Sequence, residues 1–215
     1  MYSLEDGIFA VKLAREAVKT YIEKGKKIDP PFDYPEKFNE KCGVFVTLKT
    51  FTKKQDKIEK NLRGCIGFPY PTYSLIEAII DSAINSAIND SRFHPPFGPG
   101  PVVSEELNNI VFEISILTPP ELLEVKDPKE YLTKIKIGQD GLIAQRGPYR
   151  GLLLPQVPVE WKWEVEEFLE HTCNKAFIPS DCWKKSDTKI FTFQAIIFEE
   201  VMPLGEIRQK EIGEE

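Results

Sequence analysis

The sequence predicts an α+β fold with a largely antiparallel sheet flanked by helices. Three observations support this fold class. Segments with the composition of strands are mostly separated by turns, two long stretches have helical periodicity, and strands do not alternate regularly with crossover helices. With 215 residues, of which 41% are hydrophobic and 29% charged, the chain is long enough for one sizeable core, with or without a smaller satellite.

Two helices and a hairpin are predicted in the first half of the chain. Apolar residues recur at helical spacing over 4–24, where a glycine then follows as a stop signal. Val44–Leu48 is rich in β-branched and aromatic residues, and we expect it to pair antiparallel with Asn61–Ile66 across a charged tip at Lys53–Lys60. Thr72–Asn89 repeats small and branched residues, which is typical of a helix packed closely on a sheet.

The second half is predicted to be richer in short strands. A stiff loop with several prolines at 93–101 precedes an alternating strand at Val111–Leu117. Further strands are expected at Ile135–Ile137, Leu142–Gln145, Leu152–Leu154 and Ile190–Val201. Val159–Cys173 has the pattern of one amphipathic helix, and we expect the charged tail after Pro203 to fray.

Charge and hydropathy exclude several classes of function. The 28 basic and 34 acidic residues give a net charge of −6, which disfavours a protein that coats nucleic acid or an anionic membrane. No apolar run approaches the roughly 18 to 20 residues needed to span a bilayer. The start at Met1–Asp6 lacks the features of a secretory signal, so we expect a cytoplasmic protein.

The cysteines show no metal-binding pattern. Cys42, Cys65, Cys173 and Cys182 form no C-x-x-C pair, and His94 and His171 are the only histidines in the sequence. We therefore predict four reduced, metal-free thiols, and neither a metal nor another cofactor is assigned.

The first candidate site is Leu62–Gly67. In a regular strand Arg63 and Cys65 would share one face, and the guanidinium would favour the reactive thiolate, with a pKa below that of an ordinary thiol. Gly64 and Gly67 indicate a bulge or the close approach of another backbone or a ligand. The alternative is structural: Cys65 is a small buried side chain and Arg63 pairs with a carboxylate.

The second candidate site is the junction between the predicted buried helix and the proline-rich loop. Asp90, Arg92 and His94 offer a carboxylate, a guanidinium and an imidazole, which suit anion binding and proton transfer. We predict that these groups line one pocket with Arg63 and Cys65. The alternative is an Asp90–Arg92 pair that closes the helix end, with His94 exposed.

Three further features have structural explanations. Glu113 and Ser115 share a strand face, which is interpreted as the solvent side, and Trp161 and Trp163 are interpreted as packing residues. Lys175 lies near a helix end, where a cation stabilises the macrodipole, and is kept as a ligand-binding candidate.

Leu62–Gly67 resembles the L-R-G-C-I-G signature of the AMMECR1 family, and the neighbouring motifs occur in the family's order. These motifs are Phe45–Leu48, Asp90–Phe93, Ile114–Thr118, Ile137-Gly138 with Gly141-Leu142, Leu153–Val157 and Cys173–Ala176. The resemblance covers about residues 43–200. The sequence departs from the family pattern at Tyr73, in an insertion at Phe51–Lys60, and at Phe177-Ile178.

The resemblance implies a single AMMECR1-like domain over 1–215, made of a larger and a smaller subdomain. It also implies an association with Memo-like and radical-SAM proteins, which are fused to or encoded beside some members, but it supplies no reaction.

Three functions remain open at this point. The first is an enzyme or small-ligand-binding protein with a cleft around Leu62–Gly67, in which Cys65, His94 and Asp90 are catalytic and Arg63, Gly64, Gly67, Arg92 and Lys175 bind the ligand. The second is an interaction module without chemistry, in which the motif is a folding requirement. We expect the partner to be a small molecule or another protein, and a homodimer is left open. The third, a regulatory factor linked to nucleic acid, is disfavoured by the net charge.

Overall fold

A computed structural model describes residues 2–54 and 57–212, and the chain forms two compact units. The first unit comprises Met1–Ile116 and Ile196–Lys210, and the second comprises Leu117–Ala195 and Glu211–Glu215. Each unit contains one antiparallel sheet, which confirms the predicted α+β class. Within the described ranges, no helix is both long and apolar enough to cross a membrane.

The helices are α1 (Leu4–Lys24), α2 (Leu75–Ile88), α3 (Tyr131–Lys134), α4 (Gln156–Glu160) and α5 (Val165–Lys175). The strands are β1 (Gly43–Lys54), β2 (Lys57–Phe68), β3 (Ile110–Leu117), β4 (Glu121–Leu122), β5 (Gly141–Arg146), β6 (Tyr149–Leu153), β7 (Lys189–Phe193), β8 (Ala195–Glu200) and β9 (Ile207–Lys210).

The first unit has a five-stranded sheet in the order β2-β1-β3-β8-β9. Helix α1 begins at a capping box, in which the side chains of Ser3 and Asp6 each accept a hydrogen bond from the other residue's backbone N–H. It ends at Gly25, whose φ of 65° is the left-handed conformation that glycine adopts without a steric penalty. The predicted helix over 4–24 is confirmed at both ends.

The hairpin of β1 and β2 is antiparallel as predicted, with Thr47 opposite Cys65. It is longer than predicted, because pairing continues to Lys54 and Lys57 and most of the charged tip is therefore strand. Alternation along β1 places one set of apolar side chains in the core of this unit. That set is Val44, Val46 and Leu48, all fully buried together with most apolar residues of α2.

The second unit has a four-stranded sheet in the order β4-β7-β5-β6. A tight turn at Gly147 and Pro148 joins β5 to β6, and Gly147 has a φ of 58°. The core of this unit is formed by β5, β7 and α5, with Phe168 and Leu169 fully buried.

Two predicted elements are each divided in the structure. The helix expected over Val159–Cys173 is interrupted between α4 and α5, where Lys162 has a φ of 56° and the Trp163 N–H donates to the Pro158 carbonyl. The strand expected over Ile190–Val201 consists of β7 and β8, which belong to different sheets and are separated by Gln194.

Two other predictions are wrong for local reasons. Ile135–Ile137 is not a strand, because the Ile135 N–H closes a helical turn on the Tyr131 carbonyl. The tail after Pro203 does not fray throughout its length, since β9 pairs with β8 from Ile207 to Lys210.

The prediction of four reduced cysteines is also wrong. Cys173 at the end of α5 is bonded to Cys182, and both are fully buried, whereas Cys42 and Cys65 are thiols. The two partners are separated by 9 positions in sequence, so no C-x-x-C pattern announces the bond. The packing of α5 against the following turn brings them together.

We predict that the denatured, unreduced protein contains two titratable thiols and that reduction raises this number to four. The disulfide closes a short loop, so its loss in Cys182→Ser should lower the unfolding free energy of the second unit by about 2 to 3 kcal/mol. A thiol assay in denaturant with and without reductant tests the pairing. Four thiols before reduction would contradict it.

Candidate functional site

The Leu62–Gly67 motif lies on β2, an edge strand of the first sheet. The pairing contains a bulge, because Leu48 lies opposite Gly64 whereas Lys49 lies opposite Leu62. Arg63 is therefore the extra residue of the bulge. The prediction that Arg63 and Cys65 share one strand face assumed a regular strand, so it does not apply at this bulge.

Arg63 is turned toward an acidic partner. Its Nε and Nη2 donate to the two carboxylate oxygens of Glu106 at 2.8 and 3.0 Å, and Nη2 also donates to the Gly100 carbonyl at 3.0 Å. Arg63 is only 4% exposed, so this pair is buried on the arginine side. The guanidinium thus connects β2 to the proline-rich loop and the segment after it, as the structural alternative predicts.

The glycines of the motif permit close backbone contacts. A Cβ at Gly64 would lie 2.0 Å from the carbonyl oxygen of Ser86 on α2, and one at Gly67 would lie 2.2 Å from that of Val44 on β1. Both distances are far below van der Waals contact. The close approach predicted for these glycines is therefore to other parts of the protein backbone.

Asp90 and Arg92 bind the outer backbone edge of Cys65. The Cys65 N–H donates to Asp90 Oδ2 at 2.9 Å, and Arg92 Nη2 donates to the Cys65 carbonyl at 3.3 Å. Arg92 Nη2 also donates to Asp90 Oδ2 at 2.6 Å. Burial raises the pKa of Asp90, but these hydrogen bonds and the charge of Arg92 outweigh it and bring the pKa below its ordinary value. The Asp90–Arg92 pair therefore satisfies the outward-facing N–H and carbonyl of Cys65, which a neighbouring strand would bind in the interior of a sheet.

His94 also has a structural contact. Its Nε2 lies 2.8 Å from the Ile88 carbonyl at the end of α2, where helix carbonyls lack partners within the helix. Nearby, the guanidinium carbons of Arg63 and Arg92 lie 5.7 and 5.8 Å from the centroid of the Phe93 ring. The structure therefore brings the sequence-predicted groups of the first unit together, although their hydrogen bonds are directed at protein atoms.

The Cys65 side chain lies beside Thr47, whose hydroxyl donates to Sγ at 3.3 Å. Burial raises the pKa of the Cys65 thiol above its ordinary value, and the charge of Glu113 adds to the increase, although Thr47 and Arg92 act in the opposite direction. The prediction of an activated thiolate is therefore wrong. Burial outweighs its favourable neighbours, and Arg63 is engaged with Glu106.

A group of lysines and glutamates lies on the same sheet face as Cys65, and we call it the lysine–glutamate cluster. Its members are Lys49, Lys60, Glu113, Glu199 and Lys210. Glu113 Oε2 accepts hydrogen bonds from Lys49 at 2.8 Å and Lys210 at 3.4 Å. Glu199 Oε2 contacts Lys60 at 3.4 Å and Lys210 at 3.7 Å. Both carboxylates are almost fully buried, so the three ammonium groups are held close together in a poorly hydrated setting.

The cluster was missed in the sequence because its strands are distant in the chain. The predicted solvent side for Glu113 and Ser115 is wrong, because these residues are 3% and 0% exposed. A polar strand face is not always a solvated one, since lysines from other strands of the same sheet contact Glu113 here. The sequence pattern that indicates the cluster is the pair of polar residues Thr47 and Lys49 at alternate positions after the apolar start of β1.

Lys175 lies in the second unit, unlike the other candidates. It is exposed at the end of α5, where a cation interacts favourably with the helix macrodipole. Among the described residues, no group of three or more histidine, cysteine and acidic side chains is arranged to hold a metal ion.

Comparison with known proteins identifies the family. The AMMECR1 family model matches residues 11–198. The chain belongs to the AMMECR1 family. The match extends the sequence resemblance toward the N-terminus, so that most of α1 is part of the family domain.

Archaeal relatives in the AMMECR1 family are similar over nearly their full length. The protein PH0010 of Pyrococcus horikoshii is 53% identical over 96% of this chain and 95% of the relative. Protein MJ0810 of Methanocaldococcus jannaschii is 53% identical over 99% of this chain and 98% of the relative. The crystal structure of PH0010, described as an uncharacterised protein, has a TM-score of 0.88 over 96% of this chain and 97% of that chain.

We expect Asp90→Asn to destabilise the first unit by about 1 to 3 kcal/mol at pH 7, because a charged partner of Cys65 and Arg92 is lost. The native pKa of Asp90 is lowered, so its contribution is present above the ordinary value of about 4 and is lost as the pH falls through the native pKa. Denaturant unfolding from pH 7 to pH 2.5 should show the two proteins converging in acid.

The matched control is Asp187→Asn, which removes a carboxylate from the exposed Arg146–Asp187 pair and should change stability by less than about 1 kcal/mol. Equal losses in the two variants would refute a special role for Asp90.

We also predict slow alkylation of Cys65 in the native protein, with a rate that inflects above the ordinary thiol pKa of about 8.5. Arg92→Gln should move the inflection higher, because Arg92 lowers the pKa of Cys65. Peptide-level mass spectrometry after timed iodoacetamide treatment separates Cys65 from Cys42. An inflection below 8.5 would restore the thiolate hypothesis.

Proposed function

We propose that the chain binds a small organic anion, carrying a phosphate or carboxylate group, on the first-sheet face that bears Cys65. The observation that carries this proposal is the lysine–glutamate cluster. Three ammonium groups meet there around two buried carboxylates, on strands whose backbone pairing fixes their positions. Ammonium groups held in this way need little rearrangement to receive an anion.

The electrostatics of Lys60 support an anionic ligand. Burial lowers the pKa of Lys60, and the charges of Lys210 and Lys49 lower it further, while Glu199 acts in the opposite direction. The pKa of Lys60 is lowered overall, so burial and the nearby positive charges outweigh the effect of the Glu199 carboxylate. An anion placed beside Lys60 would favour its protonated form, so binding and lysine charge would reinforce each other.

One uncharged donor lies on the same strand face as Glu113 of the lysine–glutamate cluster. The Ser115 hydroxyl is fully buried and has no hydrogen-bond partner among the described residues. Ser115 follows Glu113 by two positions on β3, so the two side chains share a strand face. Its unpaired burial costs about 1 to 3 kcal/mol, and in the proposed complex the side chains that cover it would move so that a ligand oxygen accepts its hydrogen bond.

Binding fits this site better than nucleophilic catalysis by Cys65. The raised pKa keeps the Cys65 thiol protonated at neutral pH, and the Asp90–Arg92 pair is engaged with its backbone. In the proposed complex, Cys65 and Thr47 form one wall of the site and the lysines provide its charge.

We predict that 10 mM inorganic phosphate or succinate raises the melting temperature above that in sodium chloride of equal ionic strength. At a hundred times Kd, binding adds about 2.7 kcal/mol, or about 5 to 10 °C for a protein of this size. Lys60→Met keeps the length of the apolar stem but removes the charge, and should abolish the increase.

The matched control is Lys57→Met, which removes the same charge from the exposed end of the same strand and should leave the increase unchanged. This control also accounts for general stabilisation of folded proteins by phosphate. The proposal fails if both variants respond like the parent, or if neither probe differs from sodium chloride.

A further inference from the structure

The second unit carries three stacked rings on its surface, independent of the proposed anion site. The rings of Trp161 and Trp163 have centroids 6.1 Å apart at an angle of 20°, and those of Trp163 and His171 are 3.8 Å apart at 9°. Trp161 is 68% exposed, and His171 is exposed as well. Only Trp163 also packs against the core of this unit.

The backbone holds this arrangement in a conformation that is costly for a residue with a side chain. Lys162, between the two tryptophans, has a φ of 56°. The Trp161 N–H donates to the Val157 carbonyl and the Trp163 N–H to that of Pro158, so the turn is fixed by hydrogen bonds. The result is a large exposed indole held in a fixed position, and tryptophan is enriched among the residues that carry most of the energy in protein interfaces.

The chain segment that carries the two tryptophans is acidic. Residues 160–170 contain Glu160, Glu164, Glu166, Glu167 and Glu170 against the single cation Lys162. Glu164 and Glu167 cap the start of α5, and Glu166 forms a surface pair with Lys184 at 3.0 Å. This local charge repels nucleic acid and anionic ligands and favours a cationic partner.

We propose that Trp161, Trp163 and His171 form a docking surface for a basic segment of another protein, with an arginine side chain stacked on the exposed face of Trp161. Guanidinium fits this surface better than ammonium, because it is planar, stacks on indole and binds carboxylates with two parallel hydrogen bonds. The segment thus combines the two features that arginine recognises, an exposed aromatic face and an excess of acidic residues.

The full-length protein labelled with 5-fluorotryptophan provides a direct test by fluorine NMR. The sequence contains three tryptophans, so we expect three signals, and Trp183, which is 3% exposed, serves as the internal reference. The probes are acetyl-Gly-Arg-Gly-Arg-Gly-amide and the same peptide with lysine or with glutamate in place of arginine. We expect a saturable shift of the Trp161 signal that is largest with the arginine peptide and decreases with added salt.

Trp161→Ala should weaken binding of the arginine peptide by at least about fivefold, as measured by calorimetry. The matched control is Tyr149→Ala on β6, which removes another exposed aromatic side chain from the same unit and should leave affinity unchanged. Both side chains are exposed, so both variants should fold.

Three results would overturn the inference. One is a Trp161 signal that responds equally to the arginine and glutamate peptides. Another is an equal loss of affinity in the two variants. The third is a shift produced by maltotriose and not by the arginine peptide, which would identify a sugar-binding surface.

Discussion

The contact between Gly64 on β2 and the Ser86 backbone on α2 determines the geometry of the first unit. The helix approaches so closely that a Cβ at Gly64 would lie 2.0 Å from the Ser86 carbonyl oxygen. The Ser86 hydroxyl donates to the Val46 carbonyl at 2.7 Å and accepts the Ile66 N–H at 2.8 Å, so it joins both strands of the hairpin. This contact fixes α2 on one face of the hairpin.

The remaining features of the motif follow from that constraint. With α2 on one face, alternation places Thr47 and Cys65 on the other, beside the lysine–glutamate cluster. The outer backbone edge of Cys65 is then occupied by Asp90 and Arg92. The L-R-G-C-I-G residues are therefore explained mainly by packing and backbone satisfaction, and the chemistry that we propose depends on side chains outside the motif.

The elements that the sequence predicts correctly are those that interactions between residues close in the chain determine. The 4–24 helix and the hairpin were predictable because helical periodicity, a terminal glycine and β-branched residues act within a few positions. The division of Ile190–Val201 was not, because both halves are apolar and only their different sheet partners separate them. At the site, the order and identity of the motifs located the residues, whereas the direction of the Arg63 side chain depended on Glu106, a partner distant in sequence.

The stability of Gly64→Ala tests the central claim most directly, with Gly147→Ala as the reference. Gly147 has a positive φ but open space around it, so its substitution should cost about 1 kcal/mol from backbone strain alone. Gly64→Ala must move α2 away from β2, and we predict a loss of about 3 kcal/mol or more in denaturant unfolding. A Gly64→Ala loss no larger than that of Gly147→Ala would contradict the account.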